Sequence, residues 1–385
     1  MSAPAYFAMD SCRVEDLVAL VEEGLAATRA DDYPHAEGLV EGVLTYDATR
    51  LRAVADTDAV RAELARALSD GPGIVVLAGA FDAATIDETT AAFQELIAAQ
   101  RAAGHEVGDH FAKPGANDRV WNALEKLAVA RPETFVRYYA NDMLALAATA
   151  WLGPDYQVTS QVNVVNPGGT RQDVHRDYHL GFLSADRAAR FPTHVHGLSP
   201  ALTLQGAVAH VDMPVESGPT LYLPHSHRYA PGYLAWWLEP FKAHFDRHHV
   251  QLPLRKGDAV FFNPALFHAA GTNHSADILR MANLLQVSSA FGRAMETVDR
   301  RRVVEAIYPA LLAARTAGDL DEAAAHRVVA ASAEGYPFPT NLDLDPPVGG
   351  RAPASQADHV RAALASAASP PDLATTLAAY EARRV

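Results

Sequence analysis

A β-rich centre flanked by helices at both ends, an α+β arrangement, is the fold class this sequence predicts, on three observations. Apolar residues recur at helical spacing through roughly the first 150 residues. From Tyr156 onward, short β-rich runs alternate with Gly/Pro turns. Helical spacing then returns beyond about residue 297.

Taken in order, Asp10 or Ser11 is placed to cap a helix carrying Leu17, Val18, Leu20, Val21 and Leu25. A second helix over 57–69 ends at the turn signal Ser69-Asp70-Gly71-Pro72-Gly73. The apolar run Ile74–Leu77 follows as a buried strand. Asp82 then caps a helix with Ile86, Phe93 and Ile97 on one face. One apolar helix is expected over 133–152, stopped by Gly153-Pro154. Strands are expected at 157–165, 201–211, 220–223, 259–262 and 281–288, a spacing that suits a sandwich or barrel. In the tail, Val303, Val304, Ile307 and Leu311 share a helix face, and a proline-rich stretch interrupts at 335–350. The chain thus divides into an N-terminal helical extension (1–70), a β domain with flanking helices (71–296) and a helical or irregular C-terminal extension (297–385). For the last, a lid carrying Tyr336-Pro337-Phe338-Pro339 over the active site and a homodimer contact are both open readings.

Composition narrows the class. Hydrophobic residues at 49% against 20% charged can fill a large core. A formal net charge of -14 argues against binding nucleic acid through its phosphates. The single cysteine, Cys12, excludes an intrachain disulfide framework and any Cys-based zinc or iron–sulfur site. The N-terminus has no basic start and apolar run, and no stretch reaches the ~18 apolar residues of a membrane span. A soluble cytoplasmic protein is expected. Any metal must be held by the 17 histidines and the carboxylates.

His175-Arg176-Asp177 is a His-x-Asp triplet. At this composition about one such triplet arises by chance, so it carries little weight alone. On an extended strand, however, positions i and i+2 point to the same side, and one imidazole and one carboxylate can grip one ion. His268 is the best third ligand, delivered by the Gly257-Asp258 turn and the 259–262 strand. Two histidines and a carboxylate on one face leave three open positions on an octahedral metal, the pattern of non-haem Fe(II) oxygenases. A bidentate 2-oxo acid and O2 can fill them. Arg280, twelve residues past His268, could return on the next strand to clamp the distal carboxylate of that acid.

Four elements in order resemble the phytanoyl-CoA dioxygenase family over roughly residues 70–290. They are Gln172-Asp173-Val174-His175-Arg176-Asp177, the run from Glu216 to His227, Lys256-Gly257-Asp258 before His268, and Arg280. The resemblance implies a double-stranded β-helix (jelly-roll, cupin-like) core, with Fe(II), 2-oxoglutarate and O2 as cofactor and co-substrates. It further implies oxidation, chiefly hydroxylation, of a small or carrier- or CoA-bound substrate, with succinate and CO2 released. By the same match Asn163 faces 2-oxoglutarate, Gln161 shares that role, and Thr220 and Gln172 are weaker contacts. The sequence departs from the family at Ala270, where a small hydroxyl residue is usual, and near Ala207, where an aromatic is usual. Asp177 is retained, whereas related halogenases replace that carboxylate; this favours hydroxylation.

Two other classes fit the same residues less well. One is a β-helix hydrolase or isomerase using another divalent metal, with Arg280 merely structural. The other is a non-catalytic binding protein on a degenerate oxygenase core, disfavoured because all four key residues are intact. Most remaining histidines read as structural; His179, two residues past Asp177, is expected to line the substrate cavity. His194-Val195-His196 lacks the following Glu of a cupin metal site, and Trp236 and Trp237 read as core rather than as the cavity entrance. Arg300-Arg301-Arg302 reads as a solvated helix face, with an acyl-CoA phosphate contact as the sharper alternative.

Overall fold

The structure, a computed structural model, describes residues 4–103 and 116–384. Eleven strands follow one another: β1 (Gly38–Val40), β2 (Val43–Asp47), β3 (Ile74–Ala78), β4 (Asn117–Val120), β5 (Gln157–Val165), β6 (Thr203–Ala209), β7 (Leu221–Leu223), β8 (Val250–Gln251), β9 (Ala259–Phe262), β10 (Phe267–Ala269) and β11 (Arg280–Ser288). Eight form one sheet in the order β1-β2-β3-β9-β6-β11-β5-β4, and β10-β7-β8 form a second. Every pairing is antiparallel except β2 with β3. Fifteen α-helices among the described residues make this a mixed α/β fold.

Period-two alternation gives the large sheet two different faces. On β11, Met281, Leu285 and Val287 enter the main hydrophobic core, while Arg280, Ala282, Leu284 and Gln286 line a cavity. On β6, Leu204 and Val208 point to the core, and Gln205, Ala207 and Ala209 to the cavity. The small sheet closes over the cavity face, where the Tyr222 ring lies 5.1 Å from that of Phe262. Helices cover the other face. Val303, Val304, Ile307 and Leu311 of the helix Arg300–Ala317, with Val328 and Val329 of Glu322–Ser332, share one core with Val158, Val162 and Leu285 of the sheet.

Local expectations fare unevenly. The helix Thr57–Ser69 and strands β5 and β9 match their expected ranges, and Asp82 caps its helix by accepting from the Thr85 N–H at 2.9 Å. The first helix is instead preceded by Arg13 at its N-cap, with no side-chain cap; Asp10 and Ser11 belong to a separate 3-10 turn. The helix expected over 133–152 is two, Pro132–Tyr139 and Asp142–Leu152. Asn141 leaves helical geometry between them, and its side chain accepts from the Leu144 N–H at 2.8 Å. Residues 1–70 are not wholly helical, because β1 and β2 extend the large sheet. Strands of three and five residues are too short to outweigh the helical spacing around them. The Arg300-Arg301-Arg302 face is not free for phosphate. Arg300 donates to the Val158 and Ala331 carbonyls, while Arg301 pairs with Glu305 and Glu381, and Arg302 with Glu125. No helix among the described residues is long and apolar enough to cross a membrane.

Buried neutral histidines make stability pH-dependent. His210 sits between the Thr90 hydroxyl (2.8 Å) and the Tyr138 hydroxyl (3.2 Å), and burial pushes its pKa down to about 3. Burial likewise takes His227, on the Ser69 carbonyl at 2.9 Å, down to about 3. Both stay neutral in the folded chain while an unfolded histidine protonates near 6.5, so the unfolded state binds more protons at acid pH. Their contribution is whole above 6.5 and is lost toward 3, at ~1.4 kcal/mol per pH unit for each group. Melting temperature should therefore fall between pH 7 and 5, with a shallower slope in His210→Asn; equal slopes in wild type and variant would show that His210 does not titrate on unfolding.

Candidate metal centre

Three potential ligands converge where the small sheet meets the chain between β5 and β6. His175 bridges antiparallel to His268 on β10, with N···O distances of 3.0 and 3.2 Å in the two directions. That pairing carries His175 to the outer edge of the small sheet. The Asp177 N–H donates to the Pro264 carbonyl at 3.0 Å, which sets the carboxylate beside both imidazoles. Asp177 Oδ2 lies 3.8 Å from His175 Nε2 and 3.5 Å from His268 Nε2. One ligand atom from each of the three falls within 4.8 Å of the others, close enough to share one ion. Among the described residues this is the only such group of three or more His, Cys, Asp or Glu.

Protonation is prepared locally. His175 Nδ1 lies 2.8 Å from the Asp173 carbonyl, and His268 Nδ1 lies 2.8 Å from the Leu266 carbonyl. A carbonyl can only accept, so each Nδ1 keeps its proton and each Nε2 presents its lone pair to the shared point. Burial first, then the neighbouring His268, hold the His175 pKa below the usual histidine range, against the pull of Asp177. For Asp177, burial acts to raise the pKa. The His175 imidazole, His268 and the Gln205 amide outweigh it and leave the carboxyl below its ordinary value. Neutral imidazoles beside an ionised carboxylate are the forms that bind a metal. Arg176, between the two ligands, points away: it is buried against Tyr233 and Phe267 and donates to the Ser226 and Tyr229 carbonyls.

Gln205 was not legible as a site residue. Its Nε2 donates to Asp177 Oδ2 at 2.7 Å and faces the Tyr178 hydroxyl at 3.3 Å, so it orients the carboxylate from β6. Its only sequence signal is parity: two residues before Ala207, it shares the face that lines the cavity. Gln205→Ala should weaken iron binding ~10- to 100-fold, as loss of an outer partner of a metal ligand does. Metal titration would measure this, and an unchanged affinity would assign Gln205 to packing alone.

Arg280 opens β11 opposite Val165 and is buried, its Nη1 donating to the Gly271 carbonyl at 3.2 Å. Burial lowers its pKa to about 10, so it stays charged at neutral pH; no carboxylate among the described residues forms an ion pair with it. Tyr222, also missed in the sequence, neighbours it, and its own hydroxyl is held well above the usual range by burial. Asn163, Gln161, Gln172 and Thr220 all line the same cavity of about 840 Å³ as the three ligands and Arg280. Their surroundings differ. Asn163 Oδ1 accepts from Asn117 at 3.3 Å, and Gln161 Oε1 accepts from Arg119. Along β5, Asn163 is two residues and Gln161 four from the partner of Arg280, or about 7 and 14 Å at ~3.4 Å per residue.

Two expectations about the cavity are corrected. His179 is not among its lining residues; Nε2 faces the Thr203 hydroxyl at 3.3 Å. Trp236 packs in a core cluster as expected but also lines the cavity, and Trp237, stacked on it with ring centroids 3.6 Å apart, is exposed at the lining rather than core. Among the described residues, none that lines the cavity comes from beyond Met295.

Among solved structures, the chain is similar to the non-heme alpha ketoglutarate dependent epimerase SnoN from nogalamycin biosynthesis. The two share 23% identity over 60% of this chain and 84% of that one, with a TM-score of 0.45. It is similar to the carbocyclase SnoK from the same biosynthesis at 21% identity, over 62% and 86% of the two chains, with a TM-score of 0.44. HygX from Streptomyces hygroscopicus, with nickel and 2-oxoglutarate bound, matches at 14% identity, over 60% and 88%, with a TM-score of 0.40. A search of curated proteins gives no match. The family model for phytanoyl-CoA dioxygenase (PhyH) matches residues 69–282. That match spans more than half of the sequence and encloses His175, Asp177, His268 and Arg280, so the chain belongs to the phytanoyl-CoA dioxygenase family.

Proposed function

We propose that this protein is an Fe(II)- and 2-oxoglutarate-dependent oxygenase that hydroxylates or otherwise oxidises an organic substrate, with His175, Asp177 and His268 as the iron ligands. The observation that carries the reading is the pairing of this donor set with Arg280 in one cavity. A buried guanidinium without a carboxylate partner is costly unless a ligand supplies the anion. A dicarboxylate that reaches from a metal to Arg280 does so. Two imidazoles and one carboxylate suit ferrous iron and leave room for that ligand. The large sheet and the small one, extended by the His175 bridge, are in this reading the two halves of a double-stranded β-helix.

Bound iron with 2-oxoglutarate and O2 supplies the oxidising power, releasing succinate and CO2. The chain's own residues do the rest. The carbonyls of Asp173 and Leu266 hold the two imidazoles in the ligating tautomer. The two imidazoles, with Gln205, keep Asp177 ionised, and Gln205 aims it. Arg280, with Thr220 and Tyr222, receives the distal carboxylate, and Asn163 lies alongside. Gln161, further along β5, faces the substrate end rather than the co-substrate. Val76, Ala207, Val260, Phe262 and Leu284 form an apolar wall that keeps water from the reacting centre. Residues 71–296 are the catalytic domain in this reading; the C-terminal segment braces the outer face of its large sheet, and the N-terminal one extends that sheet's edge and packs its first helix on the small sheet.

Anaerobic addition of Fe(II) and 2-oxoglutarate should produce the visible metal-to-ligand charge-transfer band of the chelate. Bound iron with no band would sink the oxygenase reading and favour a metal-dependent hydrolase or isomerase on the same frame. No bound metal at all would favour a binding protein.

A further inference from the structure

The cavity is larger than the proposed co-substrate needs. At about 30 Å³ for each water-sized group, the ten non-hydrogen atoms of 2-oxoglutarate take at most ~300 Å³, leaving on the order of 500 Å³. An amino acid or osmolyte the size of proline would fill only about half of that space. The mouth has a distinct chemistry. Trp237 is 46% exposed and Phe182 56% exposed, and both line the cavity. Trp237 stacks on the buried Trp236, which fixes the pair as a flat platform. Exposed aromatic surface rimming a pocket is unfavourable in water and is offset when a ligand covers it.

Apart from Arg280, which the co-substrate claims in this reading, the described cations at the cavity are already engaged. Arg171 pairs with Asp246 at 2.6 Å, and Lys242 lies 3.4 Å from Glu239 and 3.9 Å from Asp173. Arg119 donates to Gln161 and lies 4.5 Å over the Trp121 ring. A polyphosphate tail would have to break these contacts, in a protein of net charge -14.

Resting on the oxygenase reading above, we infer that the substrate is a bulky, uncharged, ring-bearing molecule, bound free of any phosphate-bearing carrier, with a ring seated on the Trp236–Trp237 platform. The fit follows from the platform, the remaining volume and the engaged cations together. A fatty acyl chain has no flat face for the tryptophans, and the adenine of its CoA, which has one, arrives with phosphates that meet only paired cations at the mouth among the described residues.

Equilibrium dialysis of the protein loaded anaerobically with Fe(II) and 2-oxoglutarate tests this with three probes: fluorenone as a neutral tricycle, palmitoyl-CoA, and L-proline. Fluorenone should be held with a micromolar Kd, at least ~10-fold tighter than either of the others, and Trp237→Ala should weaken it by about tenfold. Because Trp237 is half exposed, the variant should melt as wild type does. Tighter binding of palmitoyl-CoA or proline, or an affinity for fluorenone unchanged by Trp237→Ala, overturns the inference. Should the wild-type chelate band be absent while fluorenone still binds through Trp237, the oxygenase reading fails and the ring-binding one stands.

Discussion

Asp177→Ala is expected to reduce 2-oxoglutarate turnover to background, measured as succinate release, and His175→Ala to do the same. The loss should exceed the ~10- to 100-fold typical of an outer-shell partner, because the variant removes the only anionic donor of the set. With Asp177 gone, two neutral imidazoles remain to compensate a divalent charge in a largely enclosed cavity. The fold should survive. Asp177 is tied to β10's approach through its backbone N–H, and its carbonyl accepts from the Tyr233 hydroxyl at 3.1 Å; alanine keeps both contacts. Retained turnover in both variants would show that the ligands have been misassigned.

Arg280→Ala should raise the 2-oxoglutarate requirement steeply while leaving iron affinity nearly as in wild type. Truncating one partner of a buried charged pair costs ~2–5 kcal/mol, or roughly 30- to 4000-fold in the concentration needed. Arg280→Lys keeps the charge but loses the planar fork, so it should fall between the two. The split between co-substrate and metal follows from position: Arg280 opens β11 and bonds Gly271, whereas the ligands come from the His175 bridge and β10. An unchanged requirement in Arg280→Ala would place the carboxylate clamp elsewhere in the cavity.

Much of the centre could be read before any fold was known, because its chemistry leaves marks at short range. The i, i+2 spacing of His175 and Asp177 needs only an extended backbone to put both on one side. Parity along β11 and β5 likewise sends Arg280, Asn163 and Gln161 to the cavity face. Gln205, Tyr222 and the tryptophan platform were not readable in this way. Their roles come from what lies across the space between two sheets, and no local pattern encodes that distance. His179 failed for the converse reason. Two residues past Asp177 it would face the cavity on a straight strand, but the chain turns there into a short 3-10 segment and the ring meets Thr203 instead.

The same division runs through the fold. By itself the sequence determined that helices flank a β-rich centre, where most of the longer elements lie, and which four residues are the candidates for the chemistry. These follow from periodicity, turn residues and donor type, all local properties of the chain. Only the tertiary structure decided that β1 and β2 join the large sheet at its edge. It also decided that the C-terminal helices brace that sheet from the far side of the cavity, and that Gln205 holds Asp177 in place. Those outcomes depend on which apolar faces meet, and burial is shared among residues hundreds of positions apart, so no window of sequence contains it.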